Sequence, residues 1–213
     1  QKREMMTLAI AYGYKNNIII KKSITDGIEF LIGEALKETD TTKMVISYGT
    51  QLAENYKCEY VPFDKLHTLT QLPNYHWVSH HLYDNYRKED HVISGFNMVV
   101  LDIDDGVSMD TVQLLLKDYT SLIYTTKRHT DAANRFRVLL PMSHTLKLDA
   151  NEFKEFMNNI FEWLPFDVDK QTNQRSRKWQ TFNGKHAYNS GKLLDLTPYK
   201  IILLALTINY QIK

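Results

Sequence analysis

Two aspartates at the end of an apolar run are the strongest chemical feature of the sequence. Asp102 and Asp104 close the nearly continuous apolar stretch that begins at Met98. Side chains alternate along a strand, so both carboxylates point to one face while Ile103 points into the core. Such a pair repels itself unless a divalent cation lies between the carboxylates, and hard oxygen ligands suit Mg²⁺ or Mn²⁺. The alternative is a solvated strand-to-helix turn, where Asp and Gly are common.

Two other aspartate motifs can be compared directly with this one. An EF-hand loop starting at Asp102 would need Gly and Glu where the chain has Val107 and Gln113, so calcium-loop chemistry is excluded. A haloacid-dehalogenase-like phosphatase also uses a strand that ends in Asp-x-Asp. That family expects its motif near the N-terminus and a later Asp-Asp pair, which this chain lacks. The phosphatase therefore stays as the second hypothesis.

A cationic segment with a histidine follows the next apolar run. Between residues 120 and 147 there are five basic residues and a single acid, Asp131. Hydroxyls followed by Lys127, Arg128 and His129 suit phosphate oxygens, because charge-assisted hydrogen bonds are the strong ones. An ordinary surface histidine is the alternative.

A third feature is the acid that opens a basic segment. Asp169 follows an amphipathic stretch, and Lys170–Lys192 then holds six basic residues and no acid. Such an acid fits a third metal ligand beside phosphate-binding cations. A charged surface loop is the alternative.

The order of these features, with an Arg-x-Arg segment before Pro141 between them, resembles the archaeo-eukaryotic primase superfamily. The likeness is closest to primase-polymerase domains of phage and plasmid replication proteins, and it covers roughly residues 97–182. It implies that Asp102, Asp104 and Asp169 are catalytic and hold two Mg²⁺ or Mn²⁺ ions, with Asp167 as the less favoured register for the third acid. Cys58 is the single cysteine, so no zinc is expected.

The resemblance implies a template-dependent nucleotidyltransferase of DNA replication, a DNA primase or DNA polymerase. Its expected partners are a DNA template and primer, nucleoside triphosphates and a replicative helicase module or protein. The residues expected to bind nucleotide are Thr126, Lys127, Arg128, His129, Arg137 and Arg177. The residues expected to bind DNA are Arg175, Lys178, Trp179 and Lys185.

Two further hypotheses keep a replication role without this chemistry. The first is a non-catalytic replication-initiator or single-strand-binding module. The second is a rolling-circle nicking enzyme, suggested by His80 and His81 near Tyr83 and Tyr86. Its metal pair should be His-hydrophobic-His, and adjacent histidines on a strand point to opposite faces, so this hypothesis is weak.

The elements that position these residues alternate between strands and helices, which predicts an α+β (mixed α/β) domain. The resemblance implies a catalytic core with an RRM-like antiparallel or mixed sheet flanked by helices. Apolar periodicity predicts helices over Ile28–Leu36, after Ser108, and over Asn151–Leu164, the last with Asp149 or Asn151 as its cap. The predicted strands are Leu8–Tyr12, Asn17–Lys21, Lys43–Tyr48, Met98–Ile103, Leu122–Thr125 and Arg135–Leu140, the last breaking at Pro141.

Composition bounds the class of protein. The 213 residues are 43% hydrophobic and 24% charged with a net charge of +1, which predicts a globular chain whose nucleic-acid footprint is local. We expect a catalytic domain over 1–195 with lobes of about 1–95 and 96–195, and a helical extension over 196–213. No apolar run approaches the roughly 20 residues of a membrane span. A cytoplasmic protein of a bacterial or archaeal cell, encoded by a phage or plasmid, is expected.

Overall fold

The computed structural model describes residues 18–23, 29–35 and 37–195, and the chain divides into two units, 1–38 with 195–213 and 39–194. In the first unit, strand β1 (Ile18–Ser23) pairs antiparallel with strand β2 (Glu29–Ala35). The helix predicted over 28–36 is therefore wrong. Phe30 and Ile32 favour strands and Gly33 disfavours helices, so β-propensity and pairing with β1 outweighed the helical spacing.

Some expectations lie outside the described residues, namely the strand over Leu8–Tyr12 and the helical extension over 196–213. The division into lobes near residue 95 stays a prediction.

The second unit contains ten strands and three α-helices. The strands are β3 (Met44–Gly49), β4 (Lys57–Val61), β5 (His76–Val78), β6 (His81–Leu82), β7 (Val92–Ile93), β8 (Phe96–Ile103), β9 (Ser121–Thr125), β10 (Phe136–Leu146), β11 (Trp179–Gln180) and β12 (His186–Asn189). The helices are α1 (Leu66–Thr70), α2 (Met109–Leu115) and α3 (Ala150–Trp163), and single 3₁₀ turns cover Phe63–Lys65, Tyr83–Asn85 and Glu89–His91. Among the described residues, no helix has the length and apolarity needed to cross a bilayer.

The strands of this unit form two four-stranded sheets and one small ribbon. The first sheet has the order β12-β9-β10-β8, the second has the order β11-β5-β3-β4, and β6 pairs with β7. The pairs of named strands are antiparallel, and two isolated parallel bridges add Lys192 and Leu194 beside the first sheet. The predicted α+β class with a sheet flanked by helices is confirmed.

Strand β10 continues through Pro141, so the break predicted there is wrong. The pairing of β10 with β9 ends at Leu139, and the Pro141 carbonyl instead accepts a hydrogen bond from the Leu194 N–H at 2.9 Å. A proline lacks a donor, but at this position no neighbouring strand requires one. The register of β10 against β8 becomes irregular after Pro141.

Helix α3 covers one face of the first sheet. Its predicted cap is confirmed as Asp149, whose side chain accepts hydrogen bonds from two backbone N–H groups while Glu152 bonds back to the Asp149 N–H. The apolar stripe is buried, and the Phe153 and Phe156 rings lie 5.0 and 5.8 Å from the Phe96 ring of β8. The helix therefore fixes the strand that carries Asp102.

The first sheet also packs against the second sheet and α1. One apolar cluster joins Val100, Leu122 and Leu139 of the first sheet to Ile46 and Trp77 of the second. The pair of aspartates thus lies where β8 leaves a core closed on both faces.

His80, which suggested the nicking enzyme, is fully buried beside this core and has no part in the predicted nucleotidyl transfer. Its ring contacts Phe96 and Phe153, with centroids 4.9 and 5.3 Å away, and its carbonyl accepts from Ser47 Oγ at 2.6 Å. Burial, with the charge of Arg175 and of His81, lowers the pKa of His80 to about 3. The native ring is therefore neutral at pH values at which the unfolded ring takes up a proton.

We expect His80 to make the folded state less stable as pH falls from about 6.5 toward 3, because only the unfolded state binds the proton in that range. The stability advantage of wild type over His80→Leu should shrink by about 2 kcal/mol between pH 7 and pH 5. Urea unfolding of wild type and His80→Leu at both pH values measures this difference in the free energy of unfolding. Phe153→Leu, which removes packing without removing a titratable group, is the control. A pH-independent difference for His80→Leu would refute the assignment.

Candidate functional site

One row of side chains crosses the first sheet at the end where β8 stops. Asp102 of β8 lies opposite Arg137 of β10, Arg137 lies opposite Tyr124 of β9, and Tyr124 lies opposite His186 of β12. Directly opposite residues of an antiparallel pair project from the same face. The register therefore places an acid, a base, a phenol and an imidazole side by side.

Arg137 is the centre of this row. Its Nε donates to Asp102 Oδ1 at 3.1 Å, and its Nη1 donates to Tyr124 Oη at 3.2 Å and to the Gln180 carbonyl at 2.7 Å. Its guanidinium also lies 5.3 Å from the centre of the Trp179 ring. Burial acts to lower the pKa of Arg137, but Tyr124 and Asp102 outweigh it and raise that pKa. The guanidinium is a fixed, charged part of the site.

Asp102 is buried and carries an unfavourable charge. Its residue is only 7% exposed, and burial raises the pKa of its carboxyl despite the opposing charges of Arg137 and Arg177. The negative charges of Asp104 and Asp169 raise the same pKa further. A positively charged ligand that approached this carboxylate would relieve part of that cost.

Asp104 lies one residue beyond the end of β8, at the surface. Arg135 Nη1 donates to its Oδ1 at 2.7 Å, and the Asp104 side chain is half exposed. Gly106, with a φ of 86°, then turns the chain toward α2, a left-handed conformation that suits glycine.

The loop after α3 brings a third carboxylate to the end of β8. The Asp169 N–H donates to the Asp102 carbonyl at 2.9 Å. Asp169 Oδ1 accepts from the Gln171 N–H at 2.9 Å, and its Oδ2 lies 3.6 Å from Arg177 Nη2. Asp167 is exposed on the same loop, and no contact of it with Asp102 or Asp104 is described.

The segment 126–129 lies beside Arg135. Thr126 N–H donates to the Arg135 carbonyl at 2.9 Å, and the Arg135 N–H donates to His129 Nδ1 at 3.1 Å. Because Nδ1 accepts, the neutral His129 ring carries its proton on Nε2, which is then a donor for a ligand. Lys127 and Arg128 are exposed between them.

The residues predicted to bind DNA have different environments. Arg175 is largely inside the protein, where its Nε donates to Glu89 Oε1 at 2.8 Å. Trp179 is buried, with the guanidinium groups of Arg137 and Arg177 over its ring at 5.3 and 5.6 Å.

The two lysines of that group are closer to solvent. Lys178 is partly buried, and burial and then Arg87 lower its pKa. Lys185 is exposed, 3.2 Å from Asp131. DNA binding by these residues stays a prediction.

Sequence reasoning missed Arg135 and Tyr124. The signal for Arg135 was present, because Arg135 and Arg137 are two residues apart in the predicted strand 135–140 and would share a face there. The register that sets this face against Asp102 and Asp104 depends on long-range pairing, which no local pattern reports.

The implied metal ions can be tested against these donors. Carboxylate oxygens are the ligands that Mg²⁺ and Mn²⁺ prefer, and the mutual repulsion at Asp102 favours a cation, so the donor chemistry fits. Within the described part of the chain, however, no three His, Cys, Asp or Glu side chains are grouped to hold a metal. Each of the three carboxylates faces an arginine instead.

The geometry defines an α+β domain with a carboxylate and arginine site at one end of an antiparallel sheet. Residues 74–185, just over half of the chain, match the family described as the VapE N-terminal domain, and the chain belongs to that family. The family is associated with replication in phages and plasmids, which confirms the resemblance to replication proteins found in the sequence.

The chain is also similar to one solved structure at low sequence identity. The archaeo-eukaryotic primase (AEP) domain of the primase-polymerase of cyanophage S-2L aligns with this chain with a TM-score of 0.43 and 12% sequence identity. The alignment covers 78% of this chain and 90% of that chain. No curated protein matches this chain.

We expect Arg137→Gln to lower the free energy of unfolding by roughly 3 to 5 kcal/mol, because it leaves the buried Asp102 without its counter-charge. Arg135→Gln, at a more exposed ion pair, should cost less than about 1 kcal/mol. Urea unfolding measures both. Arg137→Gln combined with Asp102→Asn should cost less than the sum of the single variants. Equal losses at the two arginines would contradict this account.

Proposed function

We propose that this chain is a template-dependent nucleotidyltransferase of DNA replication, a DNA primase or DNA polymerase. The observation that carries the proposal is the hydrogen bond of 2.9 Å from the Asp169 N–H to the Asp102 carbonyl. It joins the loop after α3 to the end of β8, and it brings Asp169 close enough for its charge to raise the pKa of the Asp102 carboxyl. Acids next to phosphate-binding cations suit phosphoryl transfer.

Asp102, Asp104 and Asp169 are the residues that would hold two Mg²⁺ or Mn²⁺ ions. When bound, such ions favour the deprotonated 3′-hydroxyl of the primer and offset the charge that develops on the transferred phosphoryl group. The protein holds Asp102 in place through Arg137, which has no freedom to follow a nucleotide. We therefore propose that Arg137 positions Asp102, although the sequence analysis predicted that Arg137 binds the nucleotide.

The nucleotide's phosphates are the proposed ligand of the segment 126–129 and of Arg177. His129 offers an Nε2 donor, and Lys127 and Arg128 add exposed positive charge. Primer and template are the proposed partners on the surface near Lys185 and the half-exposed Tyr188. The helicase partner and the cytoplasmic location stay predictions.

One observation favours a second function, a replication-initiator or single-strand-binding module without catalysis. Each carboxylate of the site already has an arginine partner, which neutralises charge that a metal would otherwise neutralise. A protein of this second kind would bind a template without extending a primer.

Primer extension with labelled dNTPs and Mn²⁺ or Mg²⁺ tests the proposal. We expect wild type to lengthen the primer and release pyrophosphate, and Asp102→Asn, Asp104→Asn and Asp169→Asn to abolish extension. Asp167→Asn, which removes the same charge from the same loop, is the matched control and should remain active.

Other results of that assay would identify other functions. Template binding without extension would identify the non-catalytic module, and hydrolysis of a phosphate monoester through a phosphorylated Asp102 would identify a phosphatase. Loss in Asp167→Asn but not in Asp169→Asn would show that Asp167 is the third acid.

Nucleotide binding gives a separate prediction for His129 and Arg177. Their substitution by Ala should weaken nucleotide binding by roughly 1.5 to 3 kcal/mol each, the cost of a lost hydrogen bond to a charged group. Calorimetric titration with a nucleoside triphosphate measures it, and a parallel Mn²⁺ titration should change little. Wild-type nucleotide affinity in both variants would show that His129 and Arg177 are surface residues with no role in nucleotide binding.

A further inference from the structure

Arg137 of β10 and Arg135, the residue just before that strand, differ in how tightly their side chains are held. Arg137 is held by Asp102, Tyr124 and Gln180 and is 12% exposed at its side chain. Arg135 has one described side-chain partner, Asp104, and is 26% exposed. The Arg135 guanidinium can therefore exchange partners at far smaller cost.

The backbone of Arg135, in contrast, is fixed. Its N–H donates to His129 Nδ1 at 3.1 Å, and its carbonyl accepts from Thr126 N–H at 2.9 Å. Only the side chain has to move. The Arg135 backbone is already bonded to the His129 ring, whose Nε2 can donate to a ligand. A released guanidinium would lie beside that donor, and the planar fork of arginine matches phosphate oxygens.

We infer that Arg135 is a polyphosphate-binding residue that Asp104 holds in reserve, and this inference rests on the proposed nucleotidyl transfer. While Asp104 is free of other ligands, its carboxylate occupies the guanidinium. A cation that takes up the carboxylate weakens that attraction and releases Arg135 for the phosphates of a nucleoside triphosphate. Cation and polyphosphate then bind cooperatively, because each favours the same exchanged arrangement.

Removing the charge of Asp104 should imitate this release without any metal. The test is calorimetric titration of inorganic tripolyphosphate in the presence of EDTA. Asp104→Asn should bind the probe roughly tenfold more tightly than wild type, the gain expected from one freed charge-assisted hydrogen bond. Asp105→Asn is the matched control, since it removes an equal charge one residue away, from a side chain bonded to the Gly106 N–H.

The gain must depend on Arg135. Asp104→Asn combined with Arg135→Gln should lose it, and Asp104→Asn combined with Arg135→Lys should keep only part of it, because lysine lacks the fork. Circular dichroism checks that each variant is folded, and the lysine variant decides the matter if the glutamine variant does not fold. An equal gain in Asp105→Asn, or a full gain in the combined variants, would overturn the inference.

Primer extension by wild type separates this inference from the proposed function. If wild type extends a primer but Asp104→Asn does not bind tripolyphosphate more tightly, the role of Arg135 is refuted and the polymerase proposal stays intact. The gain without extension would leave a polyphosphate site and refute the polymerase.

Discussion

The burial of one guanidinium constrains the rest of the site. A buried ion must recover its lost hydration through close partners, or the fold loses several kcal/mol. Arg137 recovers it from Asp102 on β8, from Tyr124 on β9 and from Gln180 and Trp179 on β11. Because β11 belongs to the second sheet, a single side chain joins both sheets. The end of β8, which bears Asp102, cannot shift without breaking those contacts.

The same constraint explains why the loop after α3 matters. Asp102 is held by Arg137 on one side, and its carbonyl is held by the Asp169 N–H on the other. Asp169 in turn faces Arg177, whose guanidinium covers the Trp179 ring that Arg137 also covers. Charge at this end of the sheet is thus balanced in pairs. A cation drawn to the carboxylates therefore leaves an arginine in excess, and an anion is the natural second ligand.

The hydrophobic pattern of the sequence predicted those elements whose formation depends on local sequence, such as α3 and β8. The buried stripe of α3 and its Asp149 cap follow from the helical repeat, and the strand that carries Asp102 follows from an unbroken apolar run. The second sheet did not follow, because β5 and β11 have three and two residues and their pairing joins Trp77 to Trp179, far apart in sequence. The error over 28–36 has the same origin, since pairing with β1 decided between helix and strand.

Charge counted along the sequence could not separate interior from surface. The basic segment 170–192 suggested a track for DNA, yet Arg175 is bonded to Glu89, and Trp179 is buried with two guanidinium groups near its ring. Cations already neutralised inside a protein release no counterions from DNA, so they add little to its binding. The pair of Lys185 and Asp131 is exposed at both ends, and such pairs contribute less than about 1 kcal/mol. A phosphate can therefore replace Asp131 at little cost, which makes the exposed Lys185 better suited than Arg175 to contact a nucleic-acid backbone.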